Sequence, residues 1–396
     1  MKKTRRNKLV AGSVLALLVA AGVTESNAAA AAPVLTVINT KVADGSGYTD
    51  GGPSFVTDGQ NIYSALKAAD GVIKIVKSTN GGALWGGAHR IAVPAGGVDK
   101  ITLAISGDAA FPTQKIIHVV WEMDTPDGRD IMYTWADAAN LDAWSEPVRV
   151  NGSMLNLQDP VIAVTKTGKI YIKGQLDDKY YLMTSTAHDA NYFEQPVMIP
   201  LSASFSNPGS DSEIFFDGAN NLHLSFPYCS NADCSTMGMK YTRMSAAGVW
   251  SNPSTIVTTG GGHSGIAAYD ANNVCIATIG GNNLAAYCTT NGGSTWLKKT
   301  IASKTSTQSY GSYVDVAVNS SKVFTIGSNL HVSDAVKSTV LYRTNDGGVS
   351  WSQAASFPAA GSGYIALGVD GSGKLGVYTM RENVDGESAI YFTKEK

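Results

Sequence analysis

Apolar residues along this chain come in short runs bounded by turn residues, not in long helical stripes. Ile116 to Trp121 (IIHVVW) and Lys169 to Gly174 (KIYIKG) carry the period of strands packed face to face. Asp127-Gly128, Asp217-Gly218, Gly281-Asn282 and Asp385-Gly386 fall between such runs and predict tight turns. Forty-two glycines against 13 prolines fit many strands and turns and no helical bundle. With 44% hydrophobic and 16% charged residues, the 396-residue chain can bury a large core, which excludes a disordered or collagen-like protein.

The runs repeat. Strings of the form Ser/Thr-x-Asp/Asn-x-Gly-x-x-Trp occur at Ser78 to Trp85, Thr289 to Trp296 and Thr344 to Trp351. In each, the hydroxyl and the Asx side chain can bond turn amides, glycine accepts a positive φ, and tryptophan folds back over a tight hairpin. Looser copies place an aromatic before a short apolar strand at Trp144, Phe193 and Trp250, so the marker recurs roughly every fifty residues. An opening strand recurs as well, from Pro53, Ile101, Pro160, Glu213, Gly265, Val314 and Tyr364. That makes seven units.

The string resembles the Asp-box, or bacterial neuraminidase repeat, of the sialidase-like superfamily of β-propellers. The resemblance implies an all-β, seven-bladed β-propeller of four-stranded antiparallel blades, with six blades as the alternative. It also implies a structural role for Ser78, Asn80, Gly82 and Trp85, for Thr289, Asn291, Gly293 and Trp296, and for Thr344, Asp346, Gly348 and Trp351. The last unit ends before any fourth strand. VLTVIN, Val34 to Asn39, is the expected donor: an N-terminal strand joining the last blade closes the ring and removes exposed sheet edges.

Lys2, Lys3, Arg5, Arg6 and Lys8, then an uncharged stretch from Leu9 to Val23, then small residues through Ala28 have the three-part layout of a secretory signal. Residues 1–28 are therefore expected to be removed, with Ala30 and Ala32 as alternative cleavage points, leaving 29–396 as one propeller domain that is periplasmic or extracellular. No later segment is suited to span a membrane as a helix. The formal net charge moves from −2 to −6 on losing those five bases and Glu25, a poor balance for nucleic acid or an anionic membrane. The four cysteines suggest two local disulfides. Cys229 and Cys234 bracket a short loop, and Cys275 and Cys288 face each other across a hairpin; neither pair has zinc-knuckle spacing.

In a propeller, ligands gather where fourth-to-first and second-to-third connections meet. Arg129, Arg381, Glu382, Asp159, Asp211, Glu213 and Tyr364 are the candidates there, with Asp50, Asp99, Glu122, Asp124, His263 and Tyr310 also assigned to that face. The resemblance to sialidases implies three arginines for an acidic sugar, a tyrosine nucleophile with its glutamate, and an aspartate acid/base. The exported part has six arginines. Arg90, Arg149, Arg243 and Arg343 fall on outer strands, leaving only Arg129 and Arg381 for the ligand face, so the catalytic residues stay unassigned. No metal or cofactor is predicted: Met123 to Asp130 (MDTPDGRD) lacks the alternating ligand spacing of a calcium loop. The expected partner is a glycan or an extracytoplasmic protein bound by a non-catalytic module, the alternative an exo-acting glycoside hydrolase using a carboxylate and tyrosine site. The exported protein should begin at Ala29; intact-mass analysis of secreted material checks this, and a mass retaining residues 1–28 overturns it.

Overall fold

A computed structural model describes residues 37–44, 55–68, 71–94, 96–107, 114–165, 167–185, 192–201, 212–231, 233–281, 283–333, 335–358, 364–370, 372–382 and 388–395. The expected signal at 1–28 lies outside these, as do Asp50 and Asp211. Every regular element among the described residues is a β-strand.

The strands form seven four-stranded sheets. Blade 7 takes its outer strand from the beginning of the chain, β1 (Val37–Asp44). Blade 1 is β2 (Phe55–Asp58), β3 (Asn61–Lys67), β4 (Ile73–Ser78) and β5 (Ala88–Ile91). Blade 2 is β6 (Val98–Gly107), β7 (Lys115–Thr125), β8 (Gly128–Asp137) and β9 (Val148–Arg149). Blade 3 is β10 (Gln158–Val164), β11 (Ile170–Leu176), β12 (Lys179–Ser185) and β13 (Val197–Met198). Blade 4 is β14 (Glu213–Phe216), β15 (Leu222–Cys229), β16 (Met237–Met244) and β17 (Ser254–Val257). Blade 5 is β18 (Ser264–Ala268), β19 (Val274–Gly280), β20 (Asn283–Thr289) and β21 (Leu297–Ala302). Blade 6 is β22 (Gln308–Val318), β23 (Phe324–Val332), β24 (Ala335–Thr344) and β25 (Ser352–Pro358). Blade 7 is completed by β26 (Ile365–Val369), β27 (Leu375–Glu382) and β28 (Ser388–Glu395).

All seven expected openings are first strands, so seven blades replace the six-bladed alternative. Neighbouring first strands contact one another around the whole ring, including β2 with β26. Of the expected closing strand Val34 to Asn39, residues 34–36 lie outside the described residues. The described strand runs from Val37 to Asp44 and pairs antiparallel with β28 from Val37↔Glu395 to Asp44↔Ala389.

The core is divided among the interfaces between blades. One cluster joins Tyr63, Ile75 and Ile91 of blade 1 to Leu103, Val119 and Trp121 of blade 2. Another joins Phe55 and Ile62 of blade 1 to Tyr378 and Phe392 of blade 7. No blade buries its own faces; each depends on both neighbours.

The three Trp-containing strings sit in third-to-fourth hairpins and pin adjacent blades together. Thr289 Oγ1 accepts the Gly293 N–H at 3.0 Å, and Asn291 Oδ1 accepts the Thr295 N–H at 3.0 Å. Ser78 with Gly82 and Thr344 with Gly348 repeat the first bond at 2.8 and 3.1 Å. The second glycine of each string lies against the third strand of the preceding blade: Gly82 on Phe392, Gly293 on Tyr241, Gly348 on Cys288. The tryptophans follow, with Trp85 edge-on to Phe392 and Trp296 edge-on to Tyr241. At Gly293, φ is +89° and an added Cβ would stand 2.9 Å from the Tyr241 ring. Gly293→Ala should therefore cost about 2 kcal/mol through backbone strain and crowding, measured as a lower urea midpoint at unchanged m value. An unchanged midpoint sinks the account.

Candidate functional site

First strands begin, and second strands end, on one face of the disc, so this face collects the candidate residues. They form three groups around the channel mouth.

The first group is charged and lies on blades 2 and 3. Both β6 and β10 slip register near their starts, between Asp99 and Thr102 and between Gln158 and Val161. The extra residues put Lys100 at φ +43° and Asp159 at φ +55°, left-handed conformations that side-chain-bearing residues rarely hold. The Lys100 ammonium pairs with the Asp159 carboxylate. The Asp159 N–H donates to Glu122 Oε2 at 2.9 Å, and Glu122 Oε1 pairs with Arg129 Nη1 at 2.6 Å. Arg129 also donates to Gln158 Oε1 at 3.2 Å and lies 3.4 Å from Asp124 Oδ1 through Nε. Glu122 is 0% exposed and Asp159 2%, while the Arg129 side chain is 41% exposed. Burial raises the Glu122 carboxyl above its ordinary range, with Lys100 and Arg129 pulling it back down. Glu122 thus anchors Arg129 from below and has no surface of its own to offer a ligand.

The second group lines the channel beneath the mouth. Glu213 Oε2 accepts the Ile266 N–H of the next blade at 3.1 Å. Asp315 accepts the N–H of Val316 and, across the blade boundary, that of Leu367, both at 2.6 Å. The two carboxylates border a cavity of about 260 Å³ whose other walls include Leu103, Val161, Phe215 and Ile266. In these apolar surroundings burial pushes the Asp315 carboxyl up to about 7, with its two amide donors opposing the shift.

The third group is aromatic and occupies blades 5 to 7. His263 precedes β18, Tyr313 lies in β22 where register slips between Tyr310 and Val314, and Tyr364 precedes β26. Ring centroids are 4.6 Å apart from His263 to Tyr313 and 4.3 Å from Tyr313 to Tyr364. All three are partly exposed, which makes a continuous aromatic row across three blades.

Of the residues expected at the face, Arg129 and Asp159 come together in the first group, Glu213 enters the second and Tyr364 the third. Arg381 and Glu382 lie on β27 as Arg381↔Ala389 and Glu382↔Ser388, but their side chains lie outside the described residues. Tyr310, expected on the ligand face, is buried with its hydroxyl 3.3 Å from that of Tyr342. Sequence reading passed over Lys100, Tyr313, Asp315 and the buried Lys173. The last donates to Ser212 Oγ at 2.7 Å and sits over the Tyr180 ring. Asp315 and Lys173 had a usable signal, a charge inside an apolar strand.

Two His-centred clusters are structural. Tyr133, His118 and Ser106 in blade 2 recur as Tyr241 and His223, with Asp217, in blade 4, buried and without exposed members. Among the described residues no group of three or more His, Cys, Asp and Glu is arranged to hold a metal ion. Disulfides join Cys229 to Cys234 and Cys275 to Cys288, the latter between directly opposed residues of β19 and β20. They point to an oxidising, extracytoplasmic environment.

No protein-family model matches the sequence, and no curated protein resembles it closely enough to count as a relative. Solved structures do resemble it. An ulvan lyase of polysaccharide lyase family PL25, bound to -[GlcA(1-4)Rha3S]-, superposes with TM-score 0.62 at 11% identity over 91% of this chain and 95% of its own. YCF48 bound to D1 peptide gives 0.57 at 12% identity over 92% and 98%. A Trypanosoma rangeli sialidase carrying 2,3-difluorosialic acid gives 0.50 at 12% identity over 90% of this chain and 59% of its own. The chain thus has the propeller fold that sialidases and polysaccharide lyases share, without close kinship to any of them.

Because the folded protein holds the Asp315 proton more tightly than the unfolded chain, this group's stabilising contribution is full below about pH 4 and is lost as pH rises through about 7. Asp315→Asn should flatten the fall in urea midpoint between about pH 5 and 7. Superimposable wild-type and variant pH profiles would overturn the assignment.

Proposed function

We propose that this protein is an exported binding module that holds a glycan across the channel mouth. The aromatic row His263, Tyr313 and Tyr364 carries the reading. Sugar rings present C–H faces that stack on aromatic faces, and a row spanning three blades suits consecutive residues of a chain better than a single small molecule. Carboxylates around the same mouth, with Asp124 62% exposed, supply acceptors for sugar hydroxyls. Polysaccharide lyases and a sialidase among proteins of this fold support a carbohydrate-related role.

A hydrolase reading is less well supported. Glu122 and Asp159 are enclosed and engaged, and Glu213 and Asp315 accept backbone N–H bonds that hold neighbouring blades. Of the six arginines after residue 28, Arg149 pairs with Asp130, and Arg343 with Glu395, on outer strands. The export signal at residues 1–28 and the single domain 29–396 belong to the same proposal.

On a glycan array the purified domain should give saturable binding without turnover, and Tyr313→Ala should weaken it about tenfold, the equivalent of roughly 1.4 kcal/mol. Product release from glycosides would favour the hydrolase. Absence of any glycan binding, with recovery of one extracytoplasmic protein instead, would favour a protein partner.

A further inference from the structure

Resting on the glycan reading above, we infer that the mouth selects an uncharged glycan and rejects acidic ones. Among the described residues, the state of the cations on blades 2 and 3 carries the inference. The cations concerned are Lys100 on β6, Arg129 at the start of β8 and the buried Lys173 on β11. Each is already committed. Lys100 pairs with Asp159, Arg129 with Glu122 and Asp124, and Lys173 donates to the Ser212 hydroxyl inside the protein.

A uronate or sulfate needs an uncompensated cation, best a guanidinium presenting two parallel donors. Arg129 is the most exposed of the three, yet Nη1 is taken by Glu122 and Gln158 and Nε faces Asp124. Freeing it would leave Glu122 charged and unpaired in a fully buried position, which is costly. The turns on either side add to the imbalance. Asp124 and Asp127 at the β7–β8 hairpin, and Asp177 and Asp178 in the β11–β12 turn, stand beside two bases, Lys179 and the already paired Arg129.

On the opposite arc of the ring, blades 5 to 7 carry partly exposed aromatic rings, and contact of such rings with sugar C–H groups is indifferent to charge. An uncharged chain can therefore stack on Tyr313 and Tyr364 while its hydroxyls donate to exposed carboxylate oxygens on blades 2 and 3. An acidic chain meets like charge there.

The test compares binding of the full exported domain to polysaccharides differing in charge alone: dextran against dextran sulfate, and methyl-esterified polygalacturonate against its de-esterified form, beside a glycan array containing neutral, uronate and sulfated members. The expected result is that array hits are neutral, that each acidic member binds more weakly than its neutral counterpart, and that neutral affinity is unaffected by salt. Asp124→Asn should narrow the gap by raising affinity for the acidic member roughly two- to fivefold at low salt, an effect screened away at high salt. That gain cannot arise from misfolding. Preferential binding of acidic glycans, weakened by salt and by Arg129→Gln, would overturn the inference while leaving the glycan reading standing. Absence of binding to every glycan would instead overturn that reading and the inference with it.

Discussion

Everything in this molecule depends on the antiparallel pairing of β1 with β28. A propeller blade is a twisted sheet with two apolar faces and can cover neither alone, so the ring is stable only when the first and last units meet. Blade 7 has three strands of its own, and β1 supplies the fourth through register pairs that span its full length. The hydrogen bonds of that pairing also join β1 to the last three strands in one sheet and cover the outer edge of β28. Val42 on β1, Ile390 and Phe392 on β28, and Phe55 of blade 1 share one buried cluster, so loss of the clasp would uncover blade 1 as well as blade 7.

A second demand arises at the axis. First strands have no partner on their channel side, and amides left there without acceptors would be costly in an apolar tube. Glu213 and Asp315 meet the demand at alternate blades, each accepting an N–H from the blade that follows it. They resemble a catalytic carboxylate pair in composition and position, yet their oxygens are engaged in joining blades 4 to 5 and 6 to 7. The buried ion-pair chain of blades 2 and 3 does related work at the mouth, holding two left-handed residues, Lys100 and Asp159, against their conformational preference. Polar residues in a propeller centre thus answer to the backbone first, and what remains for a ligand is the aromatic row and the outer carboxylates.

This division explains which features could be read in the sequence. Strand openings, turns and Trp-containing strings follow from local periodicity and turn chemistry, and all seven first strands fall where the apolar runs placed them. Cys275 and Cys288 were readable for the same reason, since hairpin register alone opposes them. The mouth was less legible because bulges decide it. Between Tyr310 and Val314 the register of β22 slips, sending Tyr310 into the core against Tyr342 and Tyr313 toward the mouth; strict alternation does not reveal such a slip. Lys100 and Asp159 were hidden likewise, whereas Lys173 and Asp315 broke an apolar pattern and could have been found by asking what partner each buried charge required.

The same division accounts for a fold shared with the ulvan lyase at 11% identity. Blade-to-blade contacts require only apolar residues of suitable size at alternating positions, and the hairpin strings require a hydroxyl, an acceptor, glycine and an aromatic, so many sequences satisfy them. Exposed mouth residues such as Asp124 sit at strand ends and turns, where substitution costs the core little. The substrate of a structural neighbour is therefore a weak guide to the ligand of this chain. The state of its own described cations on blades 2 and 3, with Lys100 and Arg129 paired to carboxylates and Lys173 held on a hydroxyl, is the stronger one.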